Sequence, residues 1–388
     1  MYFVSLLSYR RGSSVFCLDY WPRNEGYHIM KMLTKEIKSV WLTLNRSCNL
    51  RCKWCYAQES EFKKELNMKY LCARDLINIC IKLGIKNFIL IGGEPTIYES
   101  FFDVVRLIIE AGGRITVMTN GLALRSKLFC ERIKQIAGDK CQFNISLKGM
   151  SDEEYGKNCG VQAFSDVLKG CSNSEKYGIR ISFIYVISAD NVDRIVEFSQ
   201  RYKAYGLNKY PLNFSYCNDV INDSSFHNIG CNCKSAVEID RIFNSHYEKV
   251  YEILGSVFGL HQSLPICMTD KYYFDLMKKR DQLFTACHVL RRTGVIFDTN
   301  GGLLLCNHLV GYEIGRYGVD YFDMDSFKSF FESDLVNNVR ERLTSMPSIS
   351  CRNCKNASIC GGGCCIRWFS QDFSAMKKDA LKRKEVIK

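Results

Sequence analysis

The chain has no run of 18 or more apolar residues among its 388, so no segment is expected to cross a membrane as a helix. Its opening, Met1-Tyr2-Phe3-Val4-Ser5-Leu6-Leu7, is apolar but short, and the first positive charges, Arg10 and Arg11, follow the apolar run. That order is wrong for a secretory signal. The six histidines have no paired spacing, which argues against a histidine-based metal site. No internal repeat or low-complexity tract is present, so a solenoid array is excluded. Basic and aromatic residues are not interleaved in an array organised for nucleic acid.

Cysteine, by contrast, is abundant, with 21 residues. In a small secreted protein this would suggest a disulfide framework. Here the length, the clustered spacings and the missing secretory signal argue against one, and a reducing, oxygen-poor cytoplasm is the expected compartment. Hydrophobic residues make up 47%, which excludes a disordered chain and allows a sizeable core in one large domain or two ordinary ones. The formal net charge of +12 fits a solvated basic surface. It also favours an acidic peptide or another anionic partner.

The most informative run is Cys48-Asn49-Leu50-Arg51-Cys52-Lys53-Trp54-Cys55-Tyr56. Its cysteines are separated by three residues and then two. Three thiolates on one loop suit three corners of a cubane iron–sulfur cluster and leave one iron open to a ligand that is not protein. Structural zinc would want a fourth ligand, and no Cys or His lies near enough in sequence to supply one. The arrangement resembles the radical S-adenosylmethionine (radical SAM) enzymes. The resemblance implies a 4Fe-4S cluster on Cys48, Cys52 and Cys55 whose open iron is chelated by the amino and carboxylate groups of SAM. It also implies that Tyr56 contacts the adenine region.

A second motif, Gly92-Gly93-Glu94-Pro95, ends an apolar strand about 40 residues later. Alone it reads as an ordinary strand-to-loop turn, with two glycines that permit close backbone approach and a proline that fixes the turn. In its place after the cysteine loop it matches the segment that binds the SAM amino group in the family. Weaker candidates for contacts with SAM ribose or carboxylate lie at later strand ends. They are Asn120 within Thr119-Asn120-Gly121, Ser146 with Lys148 and Gly149, and Asn191. Many relatives have an acidic residue where Lys148 stands. A turn residue is the competing reading for each.

Strand-like runs at Ser39–Leu44, Asn87–Ile91, Arg114–Thr119, Gln142–Leu147, Ile179–Ile187 and Pro211–Tyr216 alternate with amphipathic stretches. The latter include Cys72–Leu83, Phe101–Ala111, Leu124–Ile136 and Val192–Tyr205. Six strand–helix repeats predict a parallel α/β unit. Pattern alone leaves open sheet and barrel undecided. The resemblance implies a partial (β/α)6 TIM-like barrel with its active site at the C-terminal strand ends. The expected organisation is an N-terminal segment (1–36), a core barrel (37–219), a bridge (220–286) with a helix near Val237–Leu254, a small cysteine-rich domain (287–373) interrupted by a helical segment, Met324–Leu343, and a basic tail (374–388). Met30 and Met32 are each candidate starts of translation. Residues 1–36 are too few for the separate peptide-recognition domain that some related maturases carry.

The cysteine pattern changes at Cys287. Thirteen residues separate Cys287 from Gly301, and four more lead to Cys306. Later comes Cys351-x2-Cys354-x5-Cys360-x3-Cys364. Cys351 and Cys354 alone read as half a zinc ribbon. The longer order resembles the SPASM extension of radical SAM proteins, a small iron–sulfur domain. That resemblance implies one or two auxiliary 4Fe-4S clusters, the first on Cys287, Cys306 and Cys364 and the second on Cys351, Cys354 and Cys360. A complete SPASM domain carries a further cysteine downstream, and none follows Cys365. The second cluster therefore has an open iron, borrows Cys365 or is absent. Cys267 is the nearest upstream candidate for the missing ligand of the first cluster, against the reading of a buried free thiol; Cys231 and Cys233 are less suited. The remaining cysteines read as core thiols.

The resemblance implies a reaction in which one electron from the cluster cleaves SAM to methionine and a 5′-deoxyadenosyl radical, which takes hydrogen from a substrate. Auxiliary clusters favour a net oxidation, such as a cross-link or dehydrogenation. The expected substrate is a ribosomal peptide or protein, and the expected electron donor is a flavodoxin or ferredoxin. A formylglycine maturase of the anaerobic sulfatase type is the alternative enzyme reading. A non-catalytic iron–sulfur protein for electron transfer or sensing is the alternative of another class.

Overall fold

The computed structural model describes residues 34–55, 62–217, 220–221, 226–227, 235–261, 263–284, 293–310, 312–344, 347–348, 351, 353–356, 360–370 and 372–385. Six strands alternate with helices: β1 Ser39–Thr43, α1 Tyr70–Lys82, β2 Asn87–Ile91, α2 Phe101–Glu110, β3 Arg114–Thr119, α3 Lys127–Ala137, β4 Cys141–Leu147, α4 Asp152–Cys159, α5 Phe164–Lys176, β5 Arg180–Ile187, α6 Ile195–Ala204 and β6 Leu212–Tyr216. The strands lie side by side in chain order and all pair parallel. This is the winding of a partial TIM-like barrel, as expected. The β4–β5 crossover uses two helices, α4 and α5, where the pattern had singled out none. α3 begins at Lys127 rather than Leu124, because Leu122–Arg125 form a 3-10 turn and Ser126 caps the helix through its side chain.

The sheet extends past both ends of that unit. A short hairpin, β7 Val220–Ile221 and β8 Phe226–His227, precedes the long helix α7 Ala236–Leu254. The strand β9 Phe258–His261 then pairs parallel with β6, and after α8 Lys271–Lys279 the short β10 Leu283–Phe284 pairs with β9. On the opposite edge β11 Gly294–Phe297 pairs parallel with β1, followed antiparallel by β12 Gly302–Leu304 and β13 Gly315–Arg316. Residues read as a bridge and as the start of a separate domain thus join one 11-stranded sheet.

The expected helix Met324–Leu343 is two, α9 Met324–Phe331 and α10 Asp334–Thr344; Asp323 starts the first with a capping box. Beyond them lie α11 Arg367–Ser370 and α12 Phe373–Glu385.

Strand patterning explains how the sheet makes a cavity. In β4 and β6 buried residues alternate with half-buried ones. The buried face packs under the helices. Phe214 meets Phe198 of α6 and Phe243 of α7 at 6.0 and 5.5 Å between ring centroids. The other face is polar, with Gln142, Asn144 and Ser146 on β4, and Asn213 and Ser215 on β6. His261 of β9 is in register with Ser215 and shares its face. A parallel sheet normally buries both faces in apolar side chains, so a polar, half-exposed face marks a cavity.

One large apolar core runs through the helices and strands up to Val336 and Ile366. A second, small one joins Val237, Leu264, Met268, Phe373 and Ala380, with Cys351, Trp368 and Met376 against it. Among the described residues no helix is long and apolar enough to cross a membrane.

Candidate active site

The C-terminal ends of the first four strands build the site. After β1 the chain runs Asn45-Arg46-Ser47 to Cys48. The β1–β2 pairing continues beyond both strands, with Gly93 N donating to Asn45 O at 2.7 Å and Glu94 N donating to Ser47 O at 2.9 Å. Only glycine permits this. A Cβ on Gly92 would stand 2.7 Å from the Asn45 carbonyl oxygen, and one on Gly93 would stand 2.3 Å from that of Ser47. The close approach expected at these glycines is therefore made by the chain's own segment 45–47.

Glu94 is buried, and its carboxylate serves its own chain. Its Oε1 accepts from the hydroxyls of Thr96 and Thr119, each at 2.6 Å, and its Oε2 accepts from Asn120 N at 2.7 Å. Burial pushes this carboxyl above its ordinary range, and the donors, led by the Asn120 amide, oppose the rise. Glu94 so ties the end of β2 to the end of β3. Asn120 extends the tie, its Nδ2 donating to Asn49 Oδ1 in the cysteine loop at 2.7 Å.

The cysteine loop rests on the C-terminus of α4. Arg51 N donates to Cys159 O at 2.9 Å, and Lys53 N donates to Asn158 O at 3.1 Å. Cys48, Cys52 and Cys55 are all half-buried. Burial drives the Cys48 thiol up to about 12, with Glu94, Cys52 and Cys55 adding to the rise. Cys52 moves down to about 6, first through a hydrogen bond with Cys159 and then, against burial, through the charge of Lys148. Lys148 is buried; its Nζ donates to Ser146 Oγ at 2.7 Å and lies 5.8 Å from the centre of the Trp54 ring. A cation is thus placed beside the Cys52 thiol, which its charge favours as thiolate.

Three thiols on one pinned loop, with Cys52 and Cys55 both within electrostatic reach of Cys48, fit three corners of a cluster. Among the described residues no group of three or more Cys, His, Asp or Glu is gathered to hold a metal ion.

The strand ends thus bring Cys48, Cys52, Cys55, Gly92, Gly93, Glu94, Pro95, Asn120 and Ser146 to one rim. Asn191 is a turn residue: its amide accepts from Ser188 N and donates to Val186 O, each at 2.9 Å. Tyr56, Cys287, Cys231 and Cys233 lie outside the described residues. Cys306 is buried beside the sheet and Cys364 is half-buried. Sequence reading missed Asn49, Asn67 and Cys159. Asn67 accepts from the Arg46 and Ser47 amides at 3.0 and 3.1 Å and so shapes the approach to Cys48. Cys159 lies at the end of an unremarkable helix with no local cue to its partner.

Comparison with known proteins agrees with this geometry. The model of the Radical SAM superfamily matches residues 42–201. Those residues form a radical SAM domain. Among curated proteins, a probable GTP 3′,8-cyclase of Pyrococcus abyssi is 26% identical over 174 residues, covering 44% of this chain and 55% of the relative. One of Saccharolobus islandicus is 26% identical over 184 residues, covering 46% and 57%. The chain spans little more than half the length of these relatives. Among solved structures, Streptococcus suis SuiB bound to S-adenosylmethionine aligns with a TM-score of 0.63 at 16% identity, over 85% of this chain and 73% of that one. The protein anSMEcpe with bound AdoMet and Cp18Cys peptide aligns with a TM-score of 0.62 at 17% identity, over 90% and 98%. At that identity the likeness establishes a shared fold alone.

Proposed function

We propose that the protein is a radical SAM enzyme that oxidatively modifies a peptide or protein. The observation that carries the reading is the loop of Cys48, Cys52 and Cys55, pinned to the strand ends within the radical SAM domain. A cluster bound there, with SAM on its open iron, would supply the electron that cleaves SAM and the organic radical that takes a substrate hydrogen. The chain's own residues do the rest. Gly92 and Gly93 let the β2 end lie against segment 45–47, Glu94 and Asn120 lock β3 to the cysteine loop, and Lys148 sets a positive charge next to Cys52. The polar sheet face below, with the half-buried Gln142, Asn144 and Ser146, supports an amide-bearing substrate.

Peptide chemistry is further supported by the two fold neighbours, which cover most of the chain; SuiB is described with precursor peptide SuiA and anSMEcpe with Cp18Cys peptide. The GTP 3′,8-cyclase relatives favour a nucleotide as the second reading. Their likeness covers less than half of this chain, and the C-terminal cysteines favour an oxidation with auxiliary clusters of the SPASM kind.

The test is anaerobic. The reconstituted protein is given SAM and dithionite, and 5′-deoxyadenosine is measured beside a Cys48/Cys52/Cys55→Ala triple variant. Product from the parent alone is expected. No product from a fully iron-loaded parent, with candidate peptides or GTP present, would leave an iron–sulfur protein for electron transfer or sensing. Peptides that raise turnover support the first substrate reading, and GTP the second.

A further inference from the structure

The second cysteine set, Cys351, Cys354 and Cys360, supplies three thiols. The fold brings a fourth from upstream. Segment 263–268, before α8, lies against the loop that carries these cysteines. Cys364 N donates to Ser263 O at 2.8 Å, Arg367 Nη2 donates to Ser263 Oγ at 3.2 Å, and Ile266 N donates to Cys360 Sγ at 3.4 Å. The approach is so close that a Cβ on Gly363 would stand 2.7 Å from Ser263 O and 2.9 Å from Pro265 N; its φ of +78° adds a second requirement for glycine. Cys351 packs against the small core formed by Leu264, Met268 and Phe373. Cys267 lies between Ile266, which bonds the Cys360 sulfur, and Met268, which anchors that core.

Two features mark this as a ligand site rather than four unrelated thiols. Cys267 is exposed, not the buried core thiol that the alternative reading required. A backbone N–H already points at the Cys360 sulfur, as amide donors do toward cluster thiolates.

We propose that Cys267 is the fourth ligand of the iron–sulfur cluster held by Cys351, Cys354 and Cys360. Four protein thiolates leave no iron open on that cluster. Its role is then to carry electrons, and it does not bind substrate. The inference rests on the cluster reading of the C-terminal cysteines and is independent of what the radical SAM domain acts on.

Iron and acid-labile sulfide per chain test it, on the full-length reconstituted protein. Cys267→Ala and Cys354→Ala are each expected to lose about four irons, and the double variant no more than either. Cys267→Ala combined with Cys306→Ala is expected to lose about eight. Additive loss in the Cys267/Cys354 pair places the two on different clusters and overturns the assignment. Should Cys267→Ala retain its iron, mild oxidation decides. A three-iron EPR signal, absent from the parent and from Cys365→Ala, supports the assignment; a parent-like spectrum overturns it. Unchanged iron in Cys354→Ala removes the second cluster and this assignment together. 5′-Deoxyadenosine formation by the same parent sample reports the radical SAM reading separately.

Discussion

Asn120 reaches across from the end of β3 to Asn49 in the cysteine loop, Nδ2 to Oδ1 at 2.7 Å. The same residue's backbone amide donates to the buried Glu94. One asparagine therefore sets where the loop stands relative to two strand ends. Asn49→Ala removes only the loop side of this link and leaves Glu94 satisfied. A neutral hydrogen bond contributes about 0.5–1.5 kcal/mol, so the dissociation constant for SAM should rise about three- to tenfold with unchanged iron content. Equal SAM affinity in Asn49→Ala and parent would mean that the loop is held without this bond.

Gly93 tests the paired backbones of β2 and segment 45–47. In Gly93→Ala the new Cβ meets two carbonyl oxygens, of Ser47 at 2.3 Å and Arg46 at 2.5 Å, and backbone cannot swing aside as a side chain can. A cost of about 2–3 kcal/mol is expected, together with poorer loading of the nearby cluster. Gly84→Ala is the control: its φ is +82°, yet its Cβ meets nothing within 4 Å. It should cost only about 1 kcal/mol through backbone strain and leave iron unchanged. Anaerobic thermal unfolding and iron assay read both, and similar losses in the two variants would refute the close-approach argument.

Arg46 and Asp298 form a buried ion pair between the loops after β1 and β11, 252 residues apart in sequence. Arg46 Nη1 has no hydrogen-bond partner, so Asp298 is the anion that justifies burying this guanidinium. Asp298→Ala strands the charge and should cost about 3–5 kcal/mol. Arg46→Met with Asp298→Leu should cost clearly less than Asp298→Ala alone, because two desolvated charges are replaced by apolar volume. Denaturant unfolding of the three proteins gives the comparison; a double variant as damaged as Asp298→Ala would show that the pair does more than neutralise itself.

That pair also marks where the sequence was legible and where it was not. The core strands β1 to β6 announce themselves through apolar β-rich runs with local alternation, and their parallel order follows from the helices between them. β10 and β13 have two residues each, too few for a period, and their place depends on which sheet edge is free. Cys48, Cys52 and Cys55 were readable because their spacing is local. Cys159 beside Cys52, and Cys267 against the Cys360 loop 94 residues from Ile266, are long-range meetings that spacing does not encode. Gly92 and Gly93 were found for a general reason, close approach, while the identity of what approaches them needed the fold.

Lys148 offers the sharpest test of the electrostatics at the rim. Its cation is buried, bonded to Ser146, close to Trp54, and lowers the Cys52 thiol. A positive charge next to a cluster thiolate stabilises the more negative, reduced cluster. Removing it should therefore lower the midpoint potential, making the cluster harder to reduce. Lys148→Met keeps the volume and apolar stem and deletes the charge. At an effective dielectric of about 20 a unit charge several ångströms away is worth a few kcal/mol before screening, and 59 mV corresponds to about 1.4 kcal/mol for one electron. A fall of several tens of millivolts is expected, with slower 5′-deoxyadenosine formation by a weak reductant and less loss with an excess of a strong one. Lys148→Arg should restore most of the potential, since it restores the charge but not the geometry. The redox titration subtracts the signal of the Cys48/Cys52/Cys55→Ala triple variant, so that only the loop cluster is read. A potential unchanged in Lys148→Met would mean that the cation does not act on the cluster, and its role would reduce to holding Ser146.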